Sequence, residues 1–300
     1  MFSDTLLPVT GKVYIVENSS TPLYSSDVVY RPIRERKSVL LELTSGCSWA
    51  KCAFCDFIRD EYRVFPIYEI EEKAIALKNK DTGQSRLFLL GQNSFSLSTA
   101  YLLEVFAIIR RHLPHIEEIS MYARADAILR KTPSELSFLY SRGLRELHIG
   151  VESGCDEVLA LVGKGVTAGE METAFRMLED AQIAYSVTSI LGLGGKRLSD
   201  EHAMGTAALY NKIAPVSIWC LALKIWPDLP LTRMVDEGVF VPCTYREILV
   251  EERLMLSNME YASGQYMDTT ALGKYTLRAK LPEGRQDLID SIDLLLDTNS

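Results

Sequence analysis

Ser38-Val39-Leu40-Leu41-Glu42-Leu43 runs almost directly into Gly46-Cys47-Ser48-Trp49-Ala50-Lys51-Cys52-Ala53-Phe54-Cys55-Asp56-Phe57, and the reading of this junction decides the fold. The first run reads as a buried strand. The second places three of the six cysteines within nine residues, at Cys-x4-Cys-x2-Cys spacing. A strand that empties into a cysteine loop sets three thiols at one strand's C-terminal end, where α/β barrels build their active sites. As thiolates they would hold three irons of a cubane cluster and leave the fourth iron open to bind a small molecule. The alternative is a structural zinc site, which normally takes four Cys or His ligands at paired spacings. No second Cys-x2-Cys follows, and His112, His115, His148 and His202 lie far off in sequence. Spacing leaves both metals open. A disulfide framework is disfavoured, because 300 residues with 47% hydrophobic content can build their own core.

Working outward, Ile67, Ile70, Ala74 and Leu77 recur at helical spacing to about Lys80, and Thr82-Gly83 breaks that helix. Strands are expected at 87–90, 116–122, 147–151, 184–191 and 216–223, with helices near 98–112 and 199–212. Thr132-Pro133-Ser134-Glu135 and Thr167-Ala168-Gly169-Glu170 read as capping boxes that open two further helices. Six strand-helix units imply a parallel sheet with right-handed crossovers, too few for an eight-stranded closed barrel. The expected fold is an open (β/α)6 partial TIM barrel over residues 38–240. An N-terminal arm, 1–37, carries the apolar pieces Val13-Tyr14-Ile15-Val16 and Val28-Val29-Tyr30. A C-terminal helical extension, 241–300, is expected to cover the barrel with helices at 245–259 and 285–296.

A net charge of -8 offers no electrostatic footprint for a nucleic-acid backbone. The first thirteen residues lack the pattern of a secretory signal, and no run of eighteen apolar residues suggests a membrane span. Clustered cysteines without export signals point to the reducing cytoplasm. Cys155, Cys220 and Cys243 are dispersed and read as space-filling thiols.

Thr44-Ser45-Gly46-Cys47 through Lys51-Cys52-Ala53-Phe54-Cys55, with an aromatic residue just before the third cysteine, resembles the cluster loop of the radical S-adenosylmethionine (radical SAM) superfamily. The commonest spacing there is x3 then x2. The extra residue is similar to an oxidoreductase branch related to oxygen-independent coproporphyrinogen oxidases. The resemblance runs from about Val29 to about Asp293. It implies a [4Fe-4S] cluster on Cys47, Cys52 and Cys55, S-adenosyl-L-methionine as cofactor, and a 5'-deoxyadenosyl radical that acts on an unknown substrate, small molecule before nucleic acid. It also implies a reductase partner such as flavodoxin or ferredoxin. A methylthiotransferase acting on RNA or protein and a non-catalytic zinc-binding adaptor are the competing readings.

The resemblance further implies a cofactor site. Gly91-Gln92-Asn93, after the second strand, corresponds to a turn that meets the methionine amine. Glu152 and Lys164 correspond to an acidic residue and a later basic one that contact the cofactor, with Arg124 competing for its carboxylate. Phe54 and Phe57 would pack beside the adenine or shield the cluster, with core packing the alternative for each. Leu191, opening Leu191-Gly192-Leu193-Gly194-Gly195, begins the segment that passes the adenosyl group. Residues 261–280 read as irregular, with Tyr266, Met267, Leu272, Tyr275 and Leu277 as anchors, and are expected to close the lateral gap of a six-strand barrel. Here the branch typically carries an Arg-Ser-Asn-His-Ala-Ser-Asn-like motif, whereas this chain has Gly264-Gln265-Tyr266-Met267-Asp268-Thr269-Thr270.

Overall fold

A computed structural model describes residues 12–14, 23–26, 28–78, 83–269 and 276–298. Ile15, Val16, Lys80, Thr82, Thr270, Leu272 and Tyr275, named above, lie outside the described residues.

Eight strands form one sheet: β1 (Val39–Glu42), β2 (Arg86–Leu90), β3 (Glu118–Ala123), β4 (Leu144–Glu152), β5 (Ala184–Leu191), β6 (Ser217–Ala222), β7 (Gly264–Asp268) and β8 (Leu277–Leu281). Their spatial order follows the chain, and β1 and β8 end the sheet unpaired with each other, so the barrel is open. Strands β1 to β7 are mutually parallel, and β8 returns antiparallel to β7. The six expected strands are all present. The other two lie in the stretch read as irregular, so the segment between the C-terminal helices extends the sheet at its far edge.

Connecting helices cover the convex face: α1 (Ile67–Lys78), α2 (Thr99–His112), α3 (Ala125–Leu129), α4 (Pro133–Ser141), α5 (Asp156–Leu161), α6 (Ala168–Asp180), α7 (Ser199–Tyr210), α8 (Pro230–Asp236), α9 (Tyr245–Ser257) and α10 (Arg285–Thr298). Both expected capping boxes form, at Thr132 with Glu135 and at Thr167 with Glu170. A third, Thr244 with Glu247, opens α9 and satisfies its first backbone donors in the same way. None of the described helices is long and apolar enough to cross a membrane.

Strand alternation separates two interiors. Leu41, Leu87, Leu89, Val187, Leu191, Ile218 and Tyr266 join the main core beneath the helices. Leu40, Phe88, Leu90 and Tyr122 fill part of the concave side, where Phe88 meets Tyr122 edge-on at 5.0 Å between ring centroids. Cys220 is buried in the main core, as expected of a space-filling thiol, while Cys155 and Cys243 are half-buried.

At the N-terminal end of the barrel, a short 3-10 turn at Ile33–Glu35 sends Glu35 fully under the sheet. Arg86 bridges Glu35, at 2.6 Å, to Glu146, at 2.7 Å, and His148 Nε2 lies 2.7 Å from Glu35. Burial alone would raise the Glu35 pKa, but hydrogen bonds from His148 and Arg86 outweigh it and hold the carboxyl well below the usual range. Glu35, Glu146 and His148 form the one trio of His, Cys, Asp or Glu among the described residues whose ligand atoms all lie within 4.8 Å of one another. Arg86 already neutralises it, so it reads as a closed ion-pair floor.

Candidate active site

The cysteine loop leaves β1 at the opposite, C-terminal end of the barrel. Its second half is clamped by backbone bonds: Ala53 N–H donates to Val162 O at 2.8 Å, and Leu231 N–H donates to Ala53 O at 3.0 Å. Phe54 is buried in an apolar cluster with Val158, Val162, Leu193, Leu231 and Phe240. Its ring therefore anchors the loop from below. Phe57 packs edge-on against Tyr30 at 4.8 Å.

Trp49 ties the loop down from above. Its indole N–H donates to Gly163 O at 2.9 Å, across 114 residues of sequence. Gly165 makes this seat possible: it adopts φ +74°, and a Cβ there would lie 2.0 Å from the Trp49 ring. Arg124, immediately after β3, stacks its guanidinium 4.7 Å from the same ring.

Arg124 is the hub of the site. It donates to Lys164 O at 2.6 Å, pairs with Asp126 at 2.8 Å, and directs Nη1 at Cys52 Sγ from 3.9 Å. Its own backbone N–H donates to Asn93 Oδ1 at 3.0 Å, while Asn93 Nδ2 donates to Ser48 Oγ at 2.9 Å inside the cysteine loop. Asn93 thus links the turn after β2 to both the loop and β3.

Glu152 ends β4 at a register shift and takes φ +64°, a left-handed conformation unusual for a non-glycine residue. The bulge brings its carboxylate back over Gly150, where a Cβ would lie 2.0 Å from Glu152 Oε1. Lys164 Nζ donates to the same oxygen at 2.9 Å, and the lysine is buried. Buried Ser153 and His202 brace the turn: His202 Nδ1 lies 2.8 Å from Ser153 Oγ, and Nε2 lies 3.1 Å from Ile190 O and 3.6 Å from Glu251 Oε1.

The expected site residues therefore fall into two groups. Cys52, Asn93, Arg124, Glu152 and Lys164 form one connected network, reached from the Cys47 and Cys55 ends of the same loop. Gly91 and Gln92 line a cavity on the flank of the same loop, bordered by Thr44, Ser45, Gly46, Asp56, Phe57 and Glu61. Leu191 is wholly buried at the end of β5 and packs in the main core, and its carbonyl accepts from Leu223 N–H. Ser48, Trp49, Ser153 and His202 were missed. An indole inside a cysteine loop was the available signal for Trp49; nothing local marks the others.

Burial pushes the Cys52 and Cys55 thiols up, while the Lys164 and Arg124 charges pull Cys52 back. Thiols of this kind become thiolates by exchanging their protons for a metal. A single zinc ion with Zn–S bonds of about 2.3 Å draws its sulfurs to about 3.8 Å from one another. Three thiols of one loop leave the fourth corner of such a site to another ligand, and in a cubane cluster the same three leave one iron open. Two cations beside the sulfurs also fit a cluster whose thiolates carry net negative charge.

Comparison with known proteins agrees. Residues 41–209 match the family model of the Radical SAM superfamily. The chain is 21% identical over 268 residues to tRNA-2-methylthio-N(6)-dimethylallyladenosine synthase of Shewanella sediminis, covering 84% of this chain and 54% of that protein. It is 29% identical over 191 residues to the Chlorobium luteolum enzyme of the same name, covering 58% and 40%. The chain thus spans about half the length of the curated relatives it matches. Among solved structures, methylornithine synthase superposes with a TM-score of 0.53 at 14% identity, covering 86% of this chain and 81% of that one. The radical S-adenosylmethionine methyltransferase TsrM of Kitasatospora setae gives 0.53 at 14% identity, covering 92% and 56%. The superfamily's enzymes use a [4Fe-4S] cluster and S-adenosylmethionine, and with more than half its length matched, this chain belongs to the Radical SAM superfamily.

Proposed function

We propose that Cys47, Cys52 and Cys55 hold a [4Fe-4S] cluster and that the chain reductively cleaves S-adenosylmethionine to act on a small-molecule substrate. The observation that carries this reading is Arg124, which joins Cys52 Sγ, Asn93 and Lys164 in one network. When bound, the cluster supplies the electron that splits the cofactor into methionine and a 5'-deoxyadenosyl radical, with a flavodoxin or ferredoxin as the electron's source.

The chain's own residues position and shelter. Arg124 and Lys164 offset thiolate charge and keep the loop's sulfurs in a water-poor setting. Glu152 and Lys164 together present a carboxylate and an ammonium, complementary to the ammonium and carboxylate of an amino-acid group. Trp49 and Phe54 fix the loop from its two sides. The substrate then lies on the concave face of the sheet, below the cofactor.

A second reading, a methylthiotransferase acting on RNA, is favoured by the names of the relatives. Against it stands the net charge of -8, which offers no basic track for a nucleic acid. Anaerobically reconstituted protein given dithionite and S-adenosylmethionine should release 5'-deoxyadenosine and methionine, read by mass spectrometry. A preparation with its cluster intact that releases neither would contradict the reading.

A further inference from the structure

The concave face carries a half-open cavity of about 270 Å³ that the cysteine loop does not line. Tyr122 from β3, His148 from β4, Thr188 from β5, Trp219 from β6 and Met267 from β7 form its walls, and Arg278 of the edge strand β8, itself exposed, stands at its lateral rim. Its charge runs against that of the chain. Arg34, His148 and Arg278 line it and no carboxylate does, in a protein of net charge -8.

Two of these groups are engaged from below: Arg34 with Glu146 at 3.2 Å, and His148 with Glu35 at 2.7 Å. Arg278 differs. It faces Met267 across the β7–β8 register and has no hydrogen-bond or ion-pair partner among the described residues. Lys280, two residues on, pairs instead with Glu283 on the surface. An edge strand often carries exposed charges that keep it soluble, and here one of them stands at the mouth of an aromatic-walled cavity.

We propose that this cavity receives a small organic anion, a carboxylic acid or phosphate ester with a flat apolar body, whose anionic group is held by Arg278. The guanidinium fork matches either anion with two parallel hydrogen bonds. Tyr122 and Trp219 offer aromatic surface to an apolar body, and Thr188 and Gln265 offer polar groups to its edges. The volume sits near the lower end of small-molecule sites. The inference deepens the enzymatic reading above by assigning its substrate class, and it rests on that reading.

The test titrates reconstituted wild type, Arg278→Ala and Arg278→Lys with indole-3-carboxylate, phenyl phosphate and the neutral indole-3-carboxamide, by calorimetry. At least one anion should bind wild type about tenfold or more tightly than the amide, the worth of a charge-assisted hydrogen bond. Arg278→Ala should abolish that preference and Arg278→Lys should keep part of it; which anion wins separates acid from phosphate ester. Equal binding of acid, ester and amide, no binding of either anion, or an anion preference that survives in Arg278→Ala would overturn the assignment. So would displacement of the bound anion by an anticodon stem-loop RNA, which would assign the cavity to a nucleobase. Should Arg278→Ala not fold, Arg278→Lys and Arg278→Gln carry the comparison. Release of 5'-deoxyadenosine by the same wild-type preparation separates the two claims. Its absence alongside an anion preference sinks only the radical reading, and its presence without that preference sinks only the cavity assignment.

Discussion

Lys164 Nζ lies 2.9 Å from Glu152 Oε1, so two residues that the sequence suggests as independent cofactor contacts are partners of each other. Each holds the other in a buried setting, and a zwitterionic ligand would replace one pair by two. Glu152→Ala should leave iron content unchanged and weaken S-adenosylmethionine binding by about 1 to 3 kcal/mol. Because the residues are coupled, the double variant with Lys164→Ala should lose less than the sum of the singles. Calorimetry showing unchanged affinity in both single variants would remove the pair from the site.

Gly165→Ala tests how the cysteine loop is seated. The new Cβ would meet the Trp49 ring in a left-handed backbone position, and Trp49 must leave its bond to Gly163 O. We expect a stability loss of about 2 kcal/mol in urea unfolding and faster proteolytic cleavage within residues 46–58. Wild-type behaviour in both assays would show that the loop is held without the indole.

His202 should give a pH-dependent stability. Burial lowers its pKa from 6.5 to about 4, so the unfolded chain takes up a proton before the native one does. The contribution of the neutral ring is complete above about pH 6.5 and falls away as pH drops toward 4. Burial raises Glu251 to about 7, which works the other way: its contribution is complete below about 4.5 and is lost as pH rises through 7. The comparison must therefore be against His202→Gln. Between pH 7 and pH 5, wild type should lose about 2 kcal/mol relative to that variant. Parallel pH profiles of the two proteins would show that His202 titrates normally.

Much of the barrel was legible because its strands are apolar runs and its helices announce themselves with Thr-x-x-Glu. β7 and β8 were not read. Gly264–Asp268 mixes polar residues with Tyr266 because one face meets the cavity and the other packs under α9, where Asp268 is also buried. The residues of β7 that line the cavity include Gln265 and Met267. β8 did carry a signal, the period-two alternation of Leu277, Ala279 and Leu281 with Arg278 and Lys280 between. The cysteine loop was legible because its chemistry is local. The network around it was not, since Asn93 to Arg124 and Trp49 to Gly163 are joined only by folding.

The central claim is that three cysteines of one loop hold a four-iron cluster, and iron and sulfide analysis after anaerobic reconstitution tests it most directly. Wild type should bind about four irons per chain, and Cys52→Ala should lose the cluster and its absorption, because Cys52 is the buried thiol at which Arg124 is aimed. A Cys52→Ala protein with a full complement of iron and sulfide, or a wild type that takes up one zinc instead, would contradict the account.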